Sequence, residues 1–163
     1  MRRLEYVGTA SVRERVAGAP AGARIASRDD LRAWLAEQPP VEGESWATFV
    51  VGVDGLLRLA PQRSEHVACA GGEPVLAAGE MAFDREGELT YCSNQSTGYC
   101  PPESCWPAVS VALRKLGVQA DGFTMTCSFR RCPACGERNL VKDGWFRCGA
   151  CDAELPREWN FGA

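Results

Sequence analysis

The chain has 163 residues, 45% of them hydrophobic and 24% charged, enough to bury a core and too apolar for a disordered protein. Its formal net charge of −3 excludes a generally basic, phosphate-coating surface. Nine cysteines against a single histidine are the unusual feature, in a chain too long to need disulfides for its stability.

The opening Met1-Arg2-Arg3-Leu4-Glu5-Tyr6 lacks the apolar run and small-residue cleavage site of a secretory signal. No later stretch approaches the roughly 18 to 20 apolar residues that cross a bilayer. The chain therefore reads as cytoplasmic, where clustered cysteines bind metal more often than they pair. Leu4 to Val7 suits a short strand, and Ala17-Gly18-Ala19-Pro20-Ala21-Gly22 a loop. A helix follows: Ser27 caps it, Asp30 sits where a capping-box acid reaches back, Leu31, Trp34 and Leu35 share a face, and Pro39-Pro40 ends it. Thr48 to Val53 and Leu56 to Leu59 read as a hairpin about Asp54-Gly55, a two-residue type I′ turn. Pro74 to Phe83 and Glu88 to Cys92 form a second antiparallel pair around Asp84-Arg85-Glu86-Gly87, with the alternation of a sheet buried on one face. After the polar loop Ser93 to Tyr99 a second helix starts near Ser104, with Pro107 in its first turn and Gly117 at its end. Phe123 to Phe129 alternates as a final strand. The expected fold is α+β, a mostly antiparallel sheet carrying two helices.

Cys132-Pro133-Ala134-Cys135-Gly136 and Cys148-Gly149-Ala150-Cys151 are two C-x-x-C elements. Each pair grips one ion from a tight turn, and four sulfurs complete a tetrahedral thiolate shell. Gly136 and Gly149 give those turns freedom to aim N–H groups at sulfur. Asn139 to Lys142 and Trp145 to Arg147, joined by Asp143-Gly144, form a hairpin that returns the second pair to the first. Residues 130 to 155 thereby resemble the rubredoxin-like zinc ribbon, a family of small structural modules. The expected organisation is the α+β domain over residues 1–129, followed by a four-cysteine ribbon and tail over 130–163. Soft S₄ sites hold zinc or iron. One structural Zn²⁺ is favoured, because no flavin or nucleotide fingerprint accompanies the site. A closed four-cysteine shell is not itself catalytic. Arg130, Arg131, Arg138, Lys142 and Arg147 outnumber Glu137 and Asp143 in the ribbon, too small an excess for a phosphate footprint. Of Trp145 and Phe146, one is expected to pack on the ribbon core and the other on the main domain.

Cys69, Cys92, Cys100, Cys105 and Cys127 have no diagnostic spacing and suit either core packing or the rim of a site. His66, the only histidine, is a candidate acid/base residue, as is Glu80 if it is buried. A solvated loop histidine and a strand-edge glutamate are the plainer alternatives. Ser64 to Val118 weakly resembles an uncharacterised bacterial family with a histidine-serine segment, then G-x-P-V-x-A-A-G-E and S-G-H-Y-x-P. Its counterparts here are His66, Gly72 to Glu80 and Ser96-Thr97-Gly98-Tyr99-Cys100-Pro101, with Gly98 where that family has a second histidine. The resemblance implies that His66, Glu80 and Tyr99, as catalytic candidates, meet Asn94 and Ser96, as ligand-binding candidates, at one end of the sheet.

Three functions follow as expectations. The first is a zinc-binding protein-interaction or adaptor protein, its partner another protein. The second is a small transferase or hydrolase acting on a nucleotide or ADP-ribose-like ligand through His66 and Glu80. The third is a nucleic-acid-binding ribbon.

Overall fold

The computed structural model describes residues 1–162. Its elements, in chain order, are α1 (Ala10–Arg15), β1 (Ala23–Ile25), α2 (Arg28–Ala36), β2 (Ser45–Gly52), β3 (Leu57–Pro61), α3 (His66–Cys69), β4 (Val75–Phe83) and β5 (Leu89–Cys92). A 3₁₀ turn over Glu103–Cys105 leads into α4 (Trp106–Lys115), and β6 (Ser128–Arg131) and β7 (Arg138–Val141) follow. The fold is α+β. Five antiparallel strands run in the order β1-β3-β2-β4-β5, and β6 and β7 form a separate two-stranded sheet.

Local chemistry sets the ends of the two longer helices. Ser27 Oγ accepts from Asp30 N–H at 3.1 Å while Asp30 Oδ2 accepts from Ser27 N–H at 3.0 Å, a complete capping box that satisfies two otherwise unpaired backbone donors. At the other end of the domain, Val118 N–H donates to Leu113 C=O at 3.0 Å and Gly117 N–H to Arg114 C=O at 3.0 Å, the paired bonds of a Schellman stop. Both helices lie on one face of the sheet, where Leu31, Trp34, Val109 and Leu113 pack on Phe49, Leu57, Met81 and Phe83. Each of these large side chains contributes about 1.5–3 kcal/mol by leaving water.

The opposite face is covered too, which corrects the expectation of one buried face. Leu4, Val12 of α1, Val67 of α3 and Tyr99 pack over Val50, Ala60 and Ala78. The near-continuous apolar run of β2, Ala47 to Val51, is the sequence's record of burial on two sides. Leu4 makes only an isolated bridge, exchanging backbone bonds with Val75 at 2.7 and 3.0 Å, so the N-terminal strand is reduced to one residue.

Three other expectations are revised. At Asp54-Gly55 only Gly55 is left-handed (φ +74), and Gly55 N–H closes a turn on Gly52 C=O at 2.9 Å. Asp54 Oδ1 accepts from Leu56 N–H at 3.1 Å, which favours this longer loop over a I′ turn. Phe123 to Cys127 forms no strand beyond a single parallel bridge between Met125 and Ser93. Finally, β7 pairs with β6, not with Trp145 to Arg147, although Asp143 (φ +52) and Gly144 (φ +68) do make the expected I′ turn.

Candidate functional site

The two C-x-x-C turns are near copies of each other. In the first, Gly136 N–H donates to Cys132 C=O at 2.9 Å and Cys132 N–H to Glu137 C=O at 2.8 Å. In the second, Asp152 N–H donates to Cys148 C=O at 2.9 Å and Cys148 N–H to Ala153 C=O at 2.8 Å. The residue after each second cysteine is left-handed: Gly136 at φ +79 and Asp152 at φ +63. Gly149 has no such φ, so Asp152, not Gly149, is the counterpart of Gly136. Aspartate tolerates this conformation better than most residues, and Arg147 Nε holds Asp152 Oδ1 at 3.0 Å.

These turns bring the four Sγ atoms within 4.8 Å of one another. Cys132 and Cys151 are 3.6 Å apart, as are Cys135 and Cys148. Four sulfurs about 2.3 Å from one ion have edges of about 3.8 Å, so the spacing fits a tetrahedral site. Cys132 and Cys148 face inward and are buried, whereas Cys135 and Cys151 are exposed. The Cys151 N–H, then the Ala150 N–H and the Asn139 amide, hold the Cys148 thiol down to about 6. Asn139 serves both knuckles, since its Nδ2 donates to Cys148 Sγ at 3.5 Å and to Glu137 C=O at 3.1 Å, and its Oδ1 accepts from Gly149 N–H at 2.9 Å. An all-sulfur donor set with N–H support suits a soft cation held by Cys132, Cys135, Cys148 and Cys151.

The ribbon is fastened to the main domain by polar and aromatic contacts. Arg138 donates to Thr97 C=O, and Trp159 Nε1 to Cys100 C=O at 2.7 Å. Arg131 and Asn160 exchange two bonds of 2.8 Å that tie the tail to β6, and Phe161 of the tail packs against Cys100, Cys127 and Phe129. Phe146 is partly buried and packs against the ribbon core, under the guanidinium groups of Arg157 and Arg130. Trp145 packs on neither domain and is 68% exposed, contrary to expectation.

The structure splits the five other candidates. His66 is not in a loop but begins the short helix α3. It lines a cavity of about 390 Å³ together with Glu80 and Ser96. His66 Nε2 is 2.9 Å from Gly79 C=O and 3.9 Å from Glu80 Oε1. Burial lowers the His66 pKa and pushes Glu80 up to about 7. Gly79 belongs here for steric reasons, because a Cβ on it would meet Ser93 C=O at 1.8 Å.

Asn94 and Tyr99 do not line this cavity. Asn94 is fully buried, its Nδ2 donating to Pro101 C=O at 3.0 Å and Cys127 C=O at 2.9 Å, its Oδ1 accepting from Cys127 N–H at 2.6 Å. Tyr99 lies in the core of the second face and donates its hydroxyl to Glu73 C=O at 2.7 Å. Both side chains brace the loop that carries Ser96. The five remaining cysteines are buried and dispersed among three apolar clusters, Cys92 and Cys105 in the main core, Cys69 behind the second face, and Cys100 and Cys127 under the ribbon.

Sequence reasoning missed Trp46, Tyr91 and Arg63 at the same cavity. Trp46 and Tyr91 both pair with Ala82, from opposite sides, so the small residue leaves room for the two rings to meet at 4.9 Å. That three-strand register is a long-range fact with no local signature. No family model, curated protein or solved structure matches the chain.

Among the described residues no helix is long and apolar enough to cross a membrane.

Proposed function

We propose that this is a zinc-binding interaction protein of the cytoplasm, in which one structural Zn²⁺ folds the C-terminal ribbon and the ribbon presents Trp145 to a protein partner. The observation that carries it is the four-sulfur cluster with all its Sγ atoms within 4.8 Å. A saturated S₄ shell contributes folding energy and offers no open position for substrate. The ribbon's own apolar core is small: Cys132, Cys148 and Leu155 with Val141, Phe146 and Ala153 at its edge. Ligation supplies what that core lacks. Nine cysteines without a disulfide, four of them at the metal site, suit a reducing compartment.

A protein partner is favoured over nucleic acid by what the basic residues already do. Arg130 donates to Pro156 and Arg157 C=O, Arg131 to Gly136 C=O, Arg138 to Thr97 C=O and Arg147 to Asp152. A phosphate-binding face needs such groups free. Trp145 instead offers a large, rigid, amphipathic ring on a tight turn, the residue type that dominates protein-binding energetics. Trp145→Ala, with zinc content and fold unchanged, should lose a partner that copurifies with the zinc-loaded chain. Full retention of that partner by the variant would overturn the ribbon tip as its docking surface.

A further inference from the structure

The ribbon leaves the open end of the sheet's second face unaccounted for. Along that face the cross-strand pairs run in order: Val50 with Ala78, Thr48 with Glu80, and Trp46 with Ala82 and Tyr91. The first pair is sealed beneath Leu4, Val67 and Tyr99. In the next pair Thr48 is still buried but Glu80 is not, and there the cavity opens between the Trp46 and Tyr91 rings and the His66–Glu80 pair.

We propose that this cavity binds a purine nucleotide, with the base stacked on the Trp46–Tyr91 wall, its N–H groups donating to the Glu80 carboxylate, and its phosphate held by Arg63. The site is independent of the zinc ribbon reading and stands or falls without it.

Three features select this ligand class. An aromatic wall gives a planar base a stacking surface. Glu80 presents an acceptor that no group among the described residues hydrogen-bonds, and its side chain remains 24% exposed, toward the cavity. A carboxylate's two oxygens match the adjacent N1–H and exocyclic amine of guanine, which makes guanosine monophosphate the best-fitting probe. At the rim Arg63 is left-handed at φ +68, the third residue of a turn closed by Ser64 N–H on Pro61 C=O at 3.1 Å, and it supplies the cation among the residues that line the cavity. The volume, about 390 Å³, lies within the range of small-molecule sites. An amino acid would satisfy Glu80 and Arg63 but leave the aromatic wall unused. His66 acts as a positioning residue, since its Nε2–H is engaged by Gly79 C=O and holds the ring beside Glu80.

Titration calorimetry of the 163-residue chain with guanosine monophosphate, at a pH above the value of about 7 to which burial pushes Glu80, tests this. The expected result is saturable binding at one site, no binding of ribose 5-phosphate, and at least a tenfold loss in both Glu80→Gln and Trp46→Ala. Arg63→Ala should weaken guanosine monophosphate while leaving guanosine unchanged, which assigns the phosphate. Circular dichroism of each variant separates lost binding from lost folding, and the near-isosteric Glu80→Gln is the decisive one. Absence of saturable binding, ribose 5-phosphate binding as tightly as the nucleotide, or a folded Glu80→Gln that binds like the parent would each overturn the proposal.

Discussion

Glu80 and His66 approach to 3.9 Å, yet the histidine nitrogen nearest the carboxylate is already hydrogen-bonded to Gly79 C=O at 2.9 Å. Neither group relieves the other's burial, so each is shifted toward its neutral form: Glu80 from 4.5 up to about 7, His66 downward from 6.5.

The signs oppose each other. Between about pH 4.5 and 7 the folded chain keeps the Glu80 proton that the unfolded chain has released, so the Glu80 contribution to stability falls as pH rises through that window. The folded chain resists protonating His66, so the His66 contribution falls as pH drops below 6.5. The charged and titratable groups around Glu80 are His66 and the buried Cys69 thiol on α3, Arg63 before that helix and Tyr91 on β5. Glu80→Gln should therefore remove the loss on the alkaline side and leave stability rising with pH. Urea midpoints across the window, compared with the parent chain, check this. An unchanged slope would contradict it.

Asn94, the ligand-binding candidate, and Tyr99, the catalytic one, both hold backbone carbonyls in this fold, and their energetic weights should differ. Asn94→Ala abandons three buried bonds and leaves the Cys127 N–H without its acceptor, at a cost of about 3 kcal/mol. Tyr99→Phe removes only the bond to Glu73 C=O and costs about 1 kcal/mol. Equilibrium unfolding of both variants gives the ranking. The reverse order would show that Asn94 is not the main tether between the Ser96 loop and the segment entering β6.

The pseudo-symmetry of the knuckles makes a further prediction. Asp152→Gly trades the exposed Arg147 ion pair for backbone ease at φ +63 and should leave the unfolding midpoint nearly unchanged. Gly136→Val places a β-branched side chain at φ +79 and should speed metal loss to a chelator severalfold. The two variants, followed by zinc release, test whether these positions are equivalent.

Features that were legible in the sequence are those whose cause is local. Ser27 and Asp30 lie three residues apart, Gly117 follows its helix directly, and each cysteine pair spans one turn. The rest depends on distant partners. The helices α1 and α3 have 6 and 4 residues, too short to show a helical period, so His66 looked like a loop residue. Phe123 to Phe129 alternates as a strand does, but only Ser128–Arg131 finds a strand to pair with, and Met125 stays 41% exposed. The two Asp-Gly pairs carry the same local signal and adopt different turns, because the Asp54 carboxylate caps Leu56 N–H while Asp143 takes the left-handed conformation. At the cavity, Glu80 was visible as a carboxylate among small residues. Trp46 and Tyr91 were not, because only the β2-β4-β5 register places them beside it.

The metal content of the purified chain tests the central claim most directly. About one zinc per chain is predicted, with loss of that ion in Cys148→Ser and a melted ribbon on its removal. A folded ribbon that carries no metal, or one that retains zinc after Cys148→Ser as tightly as the parent, would contradict it.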